Sequence, residues 1–360
     1  MKKKLACLFL SFLLLVGLIG CGEVGNILLN ELENGLTQGA AESLPEDQNA
    51  SGGLECKVHF INVDQGDSIL VESRGHYMLI DAGENDEGDT VVAYLKEQGV
   101  STLDYIIGTH PHSDHIGGMD DVLDAVTVEK AILPNVTYDT KTYQDVLDGI
   151  EAQKAEILWA EVGDTYTLGD ASFIILAPNA EYTDPNNWSV GIKLVCGRNS
   201  FVMCGDAETK SERDICKNGI DLEADVLKCG HHGSNTSTSD EFLKAVNPIY
   251  AVISCGKDNK YGHPHAETIA KLQDDDVQIY RTDLSGTIIA SSDGTNLSWS
   301  FEKEVTSASA AYILNTNGKK FHKPDCSYAK RIAEENRQEY TGTREQLIKD
   351  GYTPCGSCNP

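Results

Sequence analysis

Apolar and polar positions along the chain follow two rhythms. Short apolar or alternating runs at 58–63, 68–71, 78–80, 105–107, 173–176, 190–195, 201–203, 225–228, 251–253 and 288–290 predict β-strands. Apolar residues spaced three and four apart at 91–98, 211–217, 240–246 and 266–273 predict amphipathic helices. Strands come first and then alternate with helices, an order that fits two sheets flanked by helices. Three stretches stand outside this body of residues 55–305. Residues 1–20 join Lys2-Lys3-Lys4 to an apolar run that is too short for a comfortable membrane span and has the plan of a secretory signal. Residues 21–54 contain no lysine or arginine and read as an acidic, polar tether that cannot bury a core. After the linker-like Thr306-Ser307-Ala308-Ser309-Ala310 comes a separate module at 311–360.

The ending Leu18-Ile19-Gly20-Cys21 resembles a bacterial lipobox. That implies cleavage before Cys21 and a lipid on its sulfur, so the protein is expected outside the cell as a membrane-anchored lipoprotein. The net charge is −27 for the whole chain and −30 without residues 1–20. It divides unevenly, into −32 for residues 21–310 and +2 from Ala311 onward. Such acidity argues against non-specific nucleic-acid binding by the body, because that relies on neutralising phosphates. Of eleven cysteines, Cys7 leaves with the signal, Cys21 is the lipid site, and Cys326, Cys355 and Cys358 cluster at the C-terminus. The other six mostly sit in apolar runs and read as small core residues. Export also permits one or more bridges, whose pairing the sequence does not assign.

Chemistry collects where strands end. Thr109-His110-Pro111-His112-Ser113-Asp114-His115 places three histidines and an aspartate within six residues. In an extended turn, residues two apart point the same way, so His110 and His112 can bind one metal ion while Asp114 and His115 face a neighbouring position. Asp206 closes Met203-Cys204-Gly205-Asp206, with a glycine before it to allow close approach. Gly230-His231-His232-Gly233-Ser234 and Tyr261-Gly262-His263-Pro264-His265 supply further histidines. Seven of the body's nine histidines fall in these three segments, leaving His59 and His76 as structural residues. The set suits two cations about 3.5–4 Å apart, the usual two-metal hydrolytic centre. One of His231 and His232 is expected to complete the second site and the other to donate a proton, while His263 competes for the ligand role.

This His-rich stretch resembles the signature of the metallo-β-lactamase superfamily. The resemblance implies an αββα sandwich with the metals at one edge, Asp81 bracing the His loop from behind, and Asp206 bridging both cations. The blocks 60–68, 205–208, 228–234, 261–265 and 281–286 narrow it to the extracellular hydrolase domain of ComEC-type DNA-uptake competence proteins, over roughly residues 56–300. Within those blocks Gln65, Asp67, Lys228 and Ser234 are expected behind the ligands or against substrate; Lys228 and Ser234 are able to steady phosphate oxygens, but a core-edge lysine and a plain turn serine are the stronger expectation. Beyond the signal no apolar run is long enough to span a membrane, so a role in uptake itself does not carry over. Many superfamily members supply a third His to the first site, but between His115 and His231 this chain has none. The matching region reads Asn186-Asn187-Trp188-Ser189. A site poorer in nitrogen shifts preference from Zn²⁺ toward Mn²⁺ or Mg²⁺, so the pair is expected to be Mn or Zn.

In the C-terminal module, His322, Cys326, Cys355 and Cys358 make a HisCys₃ set suited to one structural zinc, a staple that a piece this small needs. The spacing is similar to the zinc domain of Ada-type DNA-repair methyltransferases. His322 stands where that family has its methyl-accepting cysteine, so methyl transfer is not expected but DNA contact is. Together the resemblances imply a metal-dependent nuclease or phosphodiesterase acting on extracellular DNA. In it Asp114 holds a metal and orients water, and His231 or His232 protonates the leaving oxygen. The rival expectations are a phosphocholine or wall-polymer esterase, a β-lactam or lactone hydrolase, and a non-catalytic DNA-binding lipoprotein.

Overall fold

In the computed structural model, residues 54–303, 310–342 and 344–358 are described. The signal, Cys21 and the tether up to residue 53 lie outside them.

Fifteen strands build the body. Eight form one sheet in the order β15-β14-β1-β2-β3-β4-β5-β6: β1 (Cys56–Phe60), β2 (Ile69–Ser73), β3 (His76–Ile80), β4 (Thr102–Ile107), β5 (Thr127–Leu133), β6 (Glu156–Trp159), β14 (Ile288–Ser292) and β15 (Leu297–Phe301). Seven form the other, in the order β13-β12-β11-β10-β9-β8-β7: β7 (Thr165–Leu168), β8 (Ala171–Ala177), β9 (Gly191–Cys196), β10 (Asn199–Met203), β11 (Val226–Lys228), β12 (Tyr250–Ile253) and β13 (Gln278–Arg281). The period-two pattern explains how they stack. Val58, Phe60, Ile69, Val71, Met78, Ile80, Tyr105 and Ile107 pack with Phe173, Ile175, Ile192, Leu194, Phe201 and Met203 in one buried cluster between the sheets. Their sequence neighbours Leu70, Leu79 and Ile106 turn outward beneath the apolar faces of α1 (Gly88–Glu97), α3 (Met119–Ala125) and α4 (Lys141–Gln153); α2 is Ser113–Ile116. On the other sheet, Val202, Leu227 and Ala251 face α5 (Thr209–Lys217), α6 (Asp240–Val246) and α7 (Ala266–Asp274). The result is the expected αββα sandwich. Not picked out from the sequence are α3, β5, α4, β6, β7, β13 and β15, although α4 runs for thirteen residues and β5 for seven.

One expectation about the cysteines changes. Cys56 and Cys196 are disulfide-bonded, tying β1 in one sheet to β9 in the other, while Cys204, Cys216, Cys229 and Cys255 are free. Both bridged residues sit among inter-sheet core positions, which is why their surroundings read as apolar.

His59 is structural, as the sequence suggested: it is buried, with Nδ1 2.8 Å from the Tyr94 hydroxyl. Burial, with help from Lys57, lowers its pKa to about 4. Because the folded value lies below the unfolded one of about 6.5, this group's contribution is fully present above pH 6.5 and is lost as pH falls toward 4, by about 3 kcal/mol in all. Urea unfolding of wild type and His59→Gln at pH 7 and pH 4.5 should show a smaller acid loss in the variant; equal losses would reject this role.

The C-terminal module has its own four-stranded sheet, ordered β18-β16-β17-β19: β16 (Ala310–Asn315), β17 (Lys320–His322), β18 (Arg337–Gly342) and β19 (Thr353–Pro354). Its apolar interior is small, with Tyr312, Leu314, Phe321 and Leu347 on one side and Ile313 and Ala329 beside the cysteines on the other.

Candidate metal centre

β3 and β4 run parallel in one sheet, and β10, β11 and β12 run parallel in the other. The segments leaving their C-terminal ends carry Asp81, the His loop, Asp206, the His231-His232 pair and Ser254. The backbone is bent to bring them together. His231 and His232 both adopt left-handed conformations (φ 50° and 54°), as does Asp81 (φ 57°), arrangements that cost roughly 1–3 kcal/mol each and cluster at functional sites. Gly205 also has φ 50°, and a Cβ there would lie 2.9 Å from Thr109 and 3.0 Å from Ser189. The close approach that brings Asp206 to the His loop therefore needs glycine.

The His loop is extended only as far as His112 (ψ 148°); Ser113 begins the one-turn helix α2, so the single extended turn expected from the sequence is half helix. His110 Nε2 and His112 Nδ1 nevertheless lie 3.0 Å apart. Asp114 and His115, on α2, join Asp206 and His232 in a second group whose ligand atoms all lie within 4.8 Å of one another. There His115 Nε2 is 3.1 Å from Asp206 Oδ1, and His232 Nε2 is 3.5 Å from Asp206 Oδ2 and 3.3 Å from Asp114 Oδ2.

These distances suit a metal. Ligand atoms about 2.1 Å from a common ion are themselves about 3.0–3.4 Å apart in octahedral or tetrahedral geometry. The buried atoms His115 Nε2, Asp206 Oδ1 and His232 Nε2 also have no hydrogen-bond partner among the described residues, a deficit that costs free energy unless something fills it. The electrostatics agree. Burial alone would depress His115 and His232, but Asp206 and Asp81 raise the first well above its usual value, and Asp206 and Asp67 raise the second to about 9. Burial would likewise raise Asp206, yet His115 and His232 hold it well below the usual carboxylate range.

The supporting residues fix which ring nitrogen faces inward. Asp81 accepts from the Thr109 amide at 2.8 Å and hydroxyl at 2.6 Å and lies 2.7 Å from His115 Nδ1, turning Nε2 into the cluster. His232 Nδ1 lies 3.1 Å from the Ser254 carbonyl and 3.4 Å from Asp67, which leaves its Nε2 for the cluster. Ser189, which sequence reasoning passed over, accepts from the Asp206 amide at 3.0 Å and sits 3.3 Å from His110 Nδ1. Its only signal was membership of the 186–189 stretch, singled out in the sequence because no histidine falls between His115 and His231.

Three sequence expectations take different form. The candidates for the second site separate. His232 is 1 % exposed and inside the cluster, while His231 is 23 % exposed, with Nδ1 3.2 Å from Thr236 Oγ1 and 3.5 Å from Glu208. His263 lies beside them, its ring tilted and 6.2 Å from that of His232, and enters none of the metal-competent groups among the described residues. Lys228 does not reach toward substrate: it is 1 % exposed and ion-paired with buried Asp67. Ser234 is likewise buried and bonded to Thr236. Gln65 accepts from the Gly256 amide, tying two loops together.

In the C-terminal module, the ligand atoms of His322, Cys326, Cys355 and Cys358 lie within 4.8 Å of one another, with Cys326 Sγ 3.6 Å from His322 Nδ1. Burial pushes the Cys326 thiol up, but hydrogen bonds from His322 and the Ala329 amide outweigh it and bring it down to about 6, which favours the thiolate that a metal needs. Cys358→Ser should therefore unfold the module and open it to protease between residues 311 and 358. A protease-resistant module without zinc would reject the staple.

Two sheets under two helical layers, with carboxylates and imidazoles converging where parallel strands end, define a metal-dependent hydrolase of the sandwich type. Residues 61–257 match the profile of the metallo-beta-lactamase superfamily, and the chain belongs to that family. It is 32 % identical over 254 residues to ComE operon protein 3 of Bacillus subtilis (strain 168), covering 65 % of this chain and 33 % of that protein. It is 32 % identical over 252 residues to competence protein ComA of Neisseria gonorrhoeae (69 % and 33 %). Recombination protein 2 of Haemophilus influenzae is 29 % identical over 238 residues (64 % and 28 %). The chain spans about a third of the length of these relatives.

Proposed function

We propose that the protein is a two-metal phosphodiesterase that cleaves DNA outside the cell, held to the membrane through a lipid on Cys21. The observation that carries this reading is Asp206. Its oxygens lie 3.1 Å from His115 Nε2 and 3.5 Å from His232 Nε2 within the Asp114–His115–Asp206–His232 group. Its charge also acts on the imidazole of His110, so it stands between that group and the His110–His112 pair, where a carboxylate serves two ions. His110, His112, Asp114, His115, Asp206 and His232 would hold the pair. Divalent cations bound there supply activated water and neutralise charge on the phosphoryl group. The chain's own residues do the rest. Asp114, partly exposed at the edge of the cluster, orients the attacking water. His231 stands at the mouth, with Glu208 at 3.5 Å to hold its ring, and donates a proton to the leaving oxygen. His232, walled in by protein, is a ligand and not the donor. Ser189 and the Asn186-Asn187 turn occupy the place of a third histidine, which favours Mn²⁺ over Zn²⁺.

The relatives' names, competence and recombination proteins, support DNA as the substrate. Lys319, Lys320, Lys323, Lys330 and Arg331 are all exposed on the C-terminal module and supply the phosphate contacts that the acidic body lacks. The Cys56–Cys196 bridge supports an oxidising compartment.

Metal-stripped protein should cut linear DNA after Mn²⁺ is restored, and more slowly or not at all with Zn²⁺ or Mg²⁺; nitrocefin should remain intact, and p-nitrophenyl phosphocholine should be cut no faster than other base-free p-nitrophenyl diesters. The His112→Ala, Asp206→Ala double variant should be inert. DNA left whole under every metal, or cut equally by the variant, overturns the reading.

A further inference from the structure

Beside the metal cluster lies a cleft of about 300 Å³ that shares Asp114 with it. Its wall carries Asp64, Asp86 and Glu87, with Lys260 and Tyr261 across the opening of the 256–264 loop. Tyr261 is 51 % exposed, and it is held in that state. Asn259 Oδ1 accepts from the Tyr261 and His263 amides, and Asn259 Nδ2 donates to the Gly256 and His263 carbonyls. The Tyr261 ring stacks on His263 at 5.6 Å with 21° between the planes, and His263 in turn lies against the ring of His232. A loop pinned by four hydrogen bonds thus presents an exposed aromatic ring to the cleft that Asp114 shares with the centre.

Two features of the cleft select what fits it. An aromatic face takes a base, since every base has a π-face to stack. The carboxylates repel a second phosphate but accept hydrogen bonds from exocyclic amino groups. We propose that this cleft is a nucleobase subsite, in which a base carrying an amino group stacks on Tyr261 next to the phosphate being cleaved. Lys260, whose ammonium rests 4.9 Å from the ring centroid, is exposed on a flexible stem and swings aside to the nucleotide's phosphate. A base inside a duplex has both faces and its amino edge engaged, so the subsite takes an unpaired nucleotide. The proposal rests on the phosphodiesterase reading and adds to it the recognition of single-stranded DNA through one base.

The test separates the two. Binding of dAMP, dTMP and phosphocholine to the Mn²⁺-loaded full chain is measured by calorimetry for wild type, Tyr261→Ala and Tyr261→Phe. In parallel, wild-type hydrolysis of methyl p-nitrophenyl phosphate, which has no base, tests phosphodiester chemistry alone. dAMP should bind more tightly than dTMP, weaken at least about tenfold in Tyr261→Ala, and recover in Tyr261→Phe. Absent dAMP binding, equal binding by Tyr261→Ala, or tighter binding of phosphocholine overturns the subsite; the last assigns the cleft to a quaternary ammonium. Failure to hydrolyse the base-free ester with Tyr261-dependent dAMP binding intact would sink the enzymatic reading and leave the subsite standing.

Discussion

Asp206→Asn eliminates hydrolysis while the fold survives. The side chain is buried, and asparagine keeps its volume, so packing is preserved. What disappears is the charge that faces His115 and His232 and the second oxygen able to serve a second ion. Outer partners of metal ligands already cost 10- to 100-fold when removed, so the carboxylate proposed to serve both ions should cost at least about 10³-fold in rate. Metal analysis should fall from two ions to at most one in the body, apart from any ion held by His322, Cys326, Cys355 and Cys358. The same substitution should release His232 from its raised value near 9, because Asp206 is the largest charge holding it there. A variant that keeps two ions and full rate would remove Asp206 from the centre altogether.

The second large effect concerns stability. Cys56 and Cys196 are 140 residues apart in sequence. Closing a loop of that length in the unfolded chain is worth about 5 kcal/mol in the chain-entropy picture, a large fraction of the ~5–15 kcal/mol by which domains are stable. The bridge also joins the two sheets directly, through the core that holds them together. Cys56→Ala, Cys196→Ala should therefore lower the urea midpoint sharply and steepen loss on heating. The double variant is preferable to reducing agent, which would also disturb Cys326, Cys355 and Cys358. An unchanged midpoint would show that the bridge does not form in solution.

The metal centre was legible in the sequence because much of it is local. His110, His112, Asp114 and His115 lie within one turn of chain, and their spacing alone announces a ligand cluster. His322-Cys326 and Cys355-Cys358 are short-range pairs of the same kind. Strand ends marked by glycine, such as Gly205 before Asp206, also declare themselves, since glycine is needed where backbone must pass close to another segment. Weakly patterned elements did not: β6 and β13 are only partly buried, so no clean alternation marks them. Lys228 stayed open between a core-edge residue and a phosphate contact, because a lysine beside a histidine pair fits both until its partner, Asp67, is known.

The sequence by itself determined two sheets flanked by helices, which the family resemblance ordered as αββα, together with the metal-ligand stretch at 110–115, Asp206, and the HisCys₃ set. Each rests on periodicity or on residues close together along the chain. Only the tertiary structure decided which of two adjacent histidines turns inward. Left-handed backbone at both positions, with Gly233 packed against Pro264 and Ile253, buries His232 and leaves His231 at the mouth. It alone paired Lys228 with Asp67 across 161 residues and Cys56 with Cys196 across 140. It alone set Ser189 behind His110 and raised Tyr261 beside the cleft. These are contacts between segments distant in sequence, chosen by how two sheets pack and by which charges can be buried together, and no local pattern encodes them.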